Sequence, residues 1–215
     1  MTTIYPLWDL PTRSFHWLLV LAVFVSWLSH ELEWIRVHTW SGYSVLVLVG
    51  FRLLWGFWGS GHSRFRSFLR GPATLVNYWR GNHIDQPGHN PAGGWAVLLL
   101  LVLLLLQALT GLFNSDELFF DGPLFHLLDS QWTDRLGAWH ERIFWALLAM
   151  IILHLAAIAW YQWVKGQDLV RPMLSGGNTG TVAPVSLWRA LLFLVVCSGL
   201  LALAIYLVPE PQLPW

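Results

Sequence analysis

The amino-acid sequence predicts an all-α protein, a bundle of helices set in a membrane. Three observations carry that prediction: 56% of the 215 residues are apolar, only 11% are charged, and the apolar residues gather into five long runs. A hydrocarbon core roughly 30 Å thick takes about 20 helical residues to cross. Inside lipid every backbone amide needs an internal partner, so runs of this length read as helices and not as half-buried strands.

The first run, 15–30, is the shortest; it follows Arg13 and carries His16 at its start. No small-x-small cleavage site succeeds it, so it is expected to be a retained helix and not a secretory leader. The second run, 38–58, opens on His38, has Gly42 one turn later and Arg52 near its far end. The connection 59–91 interleaves Arg64, Arg66 and Arg70 with Phe65, Phe68 and Leu69, the pattern of a segment lying along headgroups. Its membrane-bordering position argues against nucleic acid as the partner of these basic residues.

The third run, 95–113, holds Gly111 near its end, and the connection 115–139 mixes carboxylates with Leu118, Phe119, Phe120, Leu124 and Phe125. That connection is expected to lie on the surface. The fourth run, 143–164, is preceded by His140 and contains His154. Glycine, serine, threonine and proline dominate 175–184, which reads as a flexible linker setting the fifth run, 187–208, apart from the first four. The expected units are therefore a four-helix core over 1–165, a linker over 166–186, and a fifth helix with a short tail over 187–215. The single cysteine, Cys197, lies in the fifth run and can form neither an intrachain disulfide nor a paired-thiol haem attachment.

Charge supplies an orientation. Arg13, Arg64, Arg66, Arg70, Arg80, Lys165, Arg171 and Arg189 flank one side of the runs, while Glu31, Glu33, Asp116, Glu117, Asp121, Asp129 and Asp134 lie in the opposite connections. The positive-inside rule puts the basic side and the amino terminus in the cytoplasm, and five crossings put the carboxyl terminus outside. In a bacterium this means the inner membrane and the periplasm. Trp8, Trp17, Trp58, Trp95, Trp139 and Trp163 suit the water interface and need no other role.

Of the nine histidines, His30, His62, His83, His89 and His126 fall in or beside connections, where a solvated imidazole is ordinary. His16, His38, His140 and His154 fall within or at the ends of apolar helices, where a polar ring is costly without a partner. His140 and His154 are 14 residues apart, which on a helix means one face within roughly 40° and a depth difference of about 21 Å. Alternating chain direction brings His16 to the depth of His154 and His38 to that of His140. A zinc site gathers three or four ligands around one ion, which pairs so far apart in depth cannot do. Two histidines meeting at one depth can instead clamp an iron porphyrin, so two levels predict two haems b, each with both axial positions filled and suited to electron transfer.

The supporting residues carry two readings each. Gly42 and Gly111 leave room either for a porphyrin face or for close helix packing. Arg13 and Arg52 either pair with haem propionates or snorkel to the headgroups.

The stretch from Trp8 through Asp9, Pro11, Arg13 and His16 to Trp17, the stretch Val37-His38-Thr-Trp-Ser-Gly42 through Arg52, the Trp139-His140-Glu141 opening of the fourth helix, and His154 together resemble the bacterial cytochrome b561 family and the related b-type cytochrome subunits of nickel-iron hydrogenases. The resemblance spans 5–165. It implies a four-helix core binding two haems b and electron exchange with a membrane quinone and a redox partner: a periplasmic cytochrome c, dehydrogenase or hydrogenase. The fifth helix, with no haem-ligand residue, departs from the simple four-helix members. A homodimer is compatible with such a chain. The competing classes are a haem-free transporter relaying protons through intramembrane histidines and an anchor subunit of a periplasmic dehydrogenase or hydrogenase; residues 143–153, between the two histidine levels, contain no ionisable group, which counts against a proton path.

Overall fold

A computed structural model describes residues 6–81, 88–115, 120–177, 183 and 185–208, without the side chain of residue 79. His83, Asp116, Glu117, Leu118, Phe119, most of the glycine-rich linker and the carboxyl-terminal tail lie outside the described residues. The chain forms α1 (Leu10–Glu31), α2 (Ile35–Trp58), α3 (Phe65–Phe68), α4 (Pro72–Trp79), α5 (Pro91–Gly111), α6 (Ser130–Trp163), α7 (Val170–Ser175) and α8 (Leu187–Tyr206). No strand occurs among the described residues. Five of these helices, α1, α2, α5, α6 and α8, are long and apolar enough to cross a membrane.

The helices begin where capping groups allow, earlier than hydropathy alone suggests. Asp9 caps α1, its Oδ1 accepting the Thr12 amide at 2.8 Å, with Pro11 in the first turn. Asn90 caps α5 through the Gly93 amide at 2.7 Å, ahead of Pro91. Asp129 caps α6 at Trp132, so this helix starts ten residues before His140, within what the sequence suggests is loop. At 34 residues α6 is about 51 Å long, which exceeds the hydrocarbon thickness by several turns. His30, the last residue of the first apolar run, lies in the last turn of α1.

Helix α2 is the centre of the bundle. It packs against α1, α5 and α8, while α5 pairs with α6. Val45, Leu48, Val49, Phe51 and Trp55 of α2 are buried with Phe15 and Ala22 of α1, Leu101 and Leu104 of α5, and Leu147 of α6. Trp145, Ile152, Leu153 and Leu155 of α6 remain exposed, as a lipid-facing surface requires.

The fifth apolar helix packs on α2: Phe193 of α8 meets Trp55 and Trp58 at 6.2 and 6.4 Å between ring centroids, and Gly50 lets Cys197 approach α2. The segment before the glycine-rich stretch is also tied down. Arg13 donates to the Leu174 carbonyl at 2.6 Å, Trp17 to that of Met173 at 3.2 Å, and the Trp8 amide to that of Gly176 at 3.1 Å. Gly176, at φ +97°, ends α7 in the left-handed conformation that glycine adopts most readily.

Candidate functional site

The four helical histidines fall at two levels. At one level, called outer after the side the charge pattern predicts, His38 at the start of α2 faces His140 of α6 with ring centroids 6.4 Å apart and planes at 78°. His38 Nδ1 lies 2.8 Å from the Ser26 carbonyl, and His140 Nδ1 lies 3.0 Å from that of Gln107. A carbonyl only accepts, so Nδ1 carries the proton in both rings and Nε2 is left as the lone-pair nitrogen. Thr110 Oγ1, 3.1 Å from His140 Nδ1, shares that donor, and the Gln107 side-chain amide donates to His140 Nε2 at 3.1 Å. Ser41 joins α2 to α1 beside His38: its hydroxyl accepts from Ser26 Oγ at 2.7 Å and donates to the His38 carbonyl at 2.8 Å.

The outer pair fits a metal porphyrin. Metal–imidazole bonds of about 2 Å on both sides of one ion set ring centroids about 6 Å apart. Histidines that ligate metals usually donate their other ring nitrogen to a carbonyl or carboxylate, as both rings do here. Gly42, one turn after His38, opens on empty space: a Cβ there would meet nothing within 4 Å. Gly111 has a different neighbour, since a Cβ on it would come 3.0 Å from His140 Cε1, so this glycine admits the imidazole itself.

At the inner level His16 of α1 and His154 of α6 are electrostatic neighbours. His16 Nδ1 is buried without a partner, and its ring packs edge-on to Trp17 at 5.0 Å. Charged groups surround this level. Arg13 has a buried Nε with no partner besides its contact to Leu174. Arg52 is only 3% exposed, so it does not snorkel; its guanidinium lies 5.1 Å from the Phe65 ring and 5.9 Å from the Phe68 ring. One of its terminal nitrogens is buried with no hydrogen-bond acceptor.

Asp9, 4% exposed, is the nearby counter-charge to Arg52, but its oxygens are taken by the Thr12 amide, Trp55 Nε1 at 3.1 Å and the Ser60 hydroxyl. A buried donor without an acceptor costs about 1–3 kcal/mol, and more when charged. The inner level thus holds buried nitrogens without a hydrogen-bond partner among the described residues.

Sequence reasoning missed four residues here. Asp9 and Gln107 had a signal: a carboxylate at a helix cap inside an aromatic stretch, and the one amide in the apolar run of α5. His30, whose ring is 5.7 Å from His38, and His89, between Trp8 at 4.8 Å and Phe68 at 4.7 Å, had none. Burial, reinforced by Arg52 and His154, pushes the His89 imidazole down to about 3, so it is neutral at pH 7.

A bundle with five helices long and apolar enough to cross a membrane, and with His38 facing His140 across it, has the features of membrane b-type cytochromes. The chain is a member of the prokaryotic cytochrome b561 family, whose sequence profile matches residues 7–176. The family binds haem b and acts in electron transfer. Comparisons with curated proteins and with solved structures give no match.

Proposed function

We propose that this chain carries electrons across the bacterial inner membrane through two bis-histidine haems b, an outer one on His38 and His140 and an inner one on His16 and His154. The observation that carries the reading is the outer pair, two rings with centroids 6.4 Å apart, each held through Nδ1 by a backbone carbonyl so that Nε2 is the nitrogen left for a metal. When bound, haem supplies reversible one-electron transfer. His38 with His140 and His16 with His154 would hold the two irons. The space at Gly42 suits a porphyrin face, and Gly111 sets the His140 ring against α5. Arg52 and Arg13, with unpartnered buried nitrogens, are the candidates for propionate contact.

The electrons pass between the membrane quinone pool and a periplasmic partner, a cytochrome c, a dehydrogenase or a hydrogenase. Orientation follows from charge: of twelve cationic side chains eight border the inner ends, Arg52 is buried, and only Arg36, Arg135 and Arg142 are at the outer ends. The amino terminus is cytoplasmic on this reading. Residues 1–165 form the di-haem core, 166–186 the cytoplasmic link and 187–215 an added crossing that braces α2. Reduced-minus-oxidised spectra and haem quantification of the purified protein test the proposal. Two low-spin haems per chain are expected; fewer, or a high-spin spectrum, would overturn it.

A further inference from the structure

The geometry points to His89 and Arg52 as the two halves of a carboxylate site that receives a propionate of the inner haem. This rests on the inner haem proposed above and adds a residue from the connection between α4 and α5. Both side chains pack on one aromatic ring, that of Phe68, Arg52 at 5.9 Å and His89 at 4.7 Å. Each has a buried nitrogen with no hydrogen-bond partner, a terminal guanidinium nitrogen of Arg52 and Nδ1 of His89. His89 is an electrostatic neighbour of both Arg52 and His154.

The chemistry selects the occupant. A guanidinium N–H is a donor, and a neutral imidazole with its proton on Nδ1 is a second; two such donors beside a cation call for an acceptor with negative charge. Asp9 is the other charged group facing Arg52, and it does not meet this need because its oxygens already accept from Thr12, Trp55 and Ser60. The aromatic rings of Trp8 and Phe68 pack against His89 and hold its imidazole in place.

Neutralising a carboxylate near the iron removes negative charge that would otherwise favour the ferric form, so these donors raise the potential of the inner haem. The test is a redox titration of the full-length protein in membranes, with the inner wave assigned as the one kept by His140→Ala. His89→Leu preserves the apolar contacts with Trp8 and Phe68 and removes the donor. It is expected to shift the inner equilibrium about tenfold toward the ferric form, about 59 mV for one electron, and to leave the outer wave in place. Arg52→Gln is expected to move the same wave in the same direction, and His89→Asn, which keeps a donor, to restore part of the shift. Loss of the inner haem alone in His89→Leu is the same result in stronger form. Two unmoved waves in His89→Leu, or loss of both haems, would overturn the inference. Failure of the parent reading shows separately, in a wild-type protein that lacks a second low-spin haem.

Discussion

At the outer level the rings of His38 and His140 are each tied through Nδ1 to a backbone carbonyl, whereas at the inner level His16 Nδ1 is buried with no partner and charged side chains gather around it. The two levels therefore solve different problems. Carbonyls on α1 and α5 orient the outer rings whatever the side chains of those residues are, because the acceptor belongs to the backbone. Around the inner rings Arg13, Arg52, Asp9 and His89 supply electrostatics in a place where a charge without a partner is expensive. Orientation dominates one end of the bundle and charge compensation the other.

Removing a ring should break this comparison most completely. His140→Ala is expected to abolish the outer haem and leave the inner one, and His154→Ala the reverse, so that haem per chain falls by half in each; variants that keep full haem content would reject the ligand assignment. The two glycines should come next. Gly111→Ala drives a methyl to 3.0 Å from His140 Cε1, and reduced occupancy of the outer site is expected at unchanged inner occupancy, read from the same spectra. Gly42→Ala meets nothing within 4 Å, so haem-free protein should keep its thermal stability while haem binding weakens; normal binding would show that the space beside His38 is not used.

Smaller effects should sharpen the contrast. Asp9→Ala removes the α1 cap, worth about 1 kcal/mol, together with the counter-charge of Arg52. A lowered melting temperature in detergent and a disturbed inner haem are expected, with the outer spectrum intact. Gln107→Leu should do least, because the carbonyl that accepts from His140 Nδ1 stays; a modest shift of the outer potential with both haems retained is the expected result. Loss of the outer haem in that variant would mean that the amide, and not the backbone, holds the ring.

The number of crossings was legible because an apolar run long enough to span lipid has only one regular structure available. Helix starts were less so: Asp9, Asn90 and Asp129 extend α1, α5 and α6 beyond the hydropathy limits, since a cap satisfies amides that hydropathy does not count. Composition says nothing of how 166–177 is held: the carbonyls of Met173, Leu174 and Gly176 accept from Trp17, Arg13 and Trp8, donors more than 150 residues away in the chain.

The sequence by itself determined five helices long and apolar enough to cross a membrane and set the expected depths of His16, His38, His140 and His154, because helical rise and alternating direction convert residue number directly into height. Tertiary structure alone decided which way each helix turns about its axis. It is that rotation which faces His38 toward His140, buries Arg52 against Phe65 and Phe68 instead of sending it to the headgroups, and brings His89 from a connection to the neighbourhood of His154. Rotation is set by packing between α2 and its three neighbours, contacts distant along the chain that a local pattern of apolar residues does not encode.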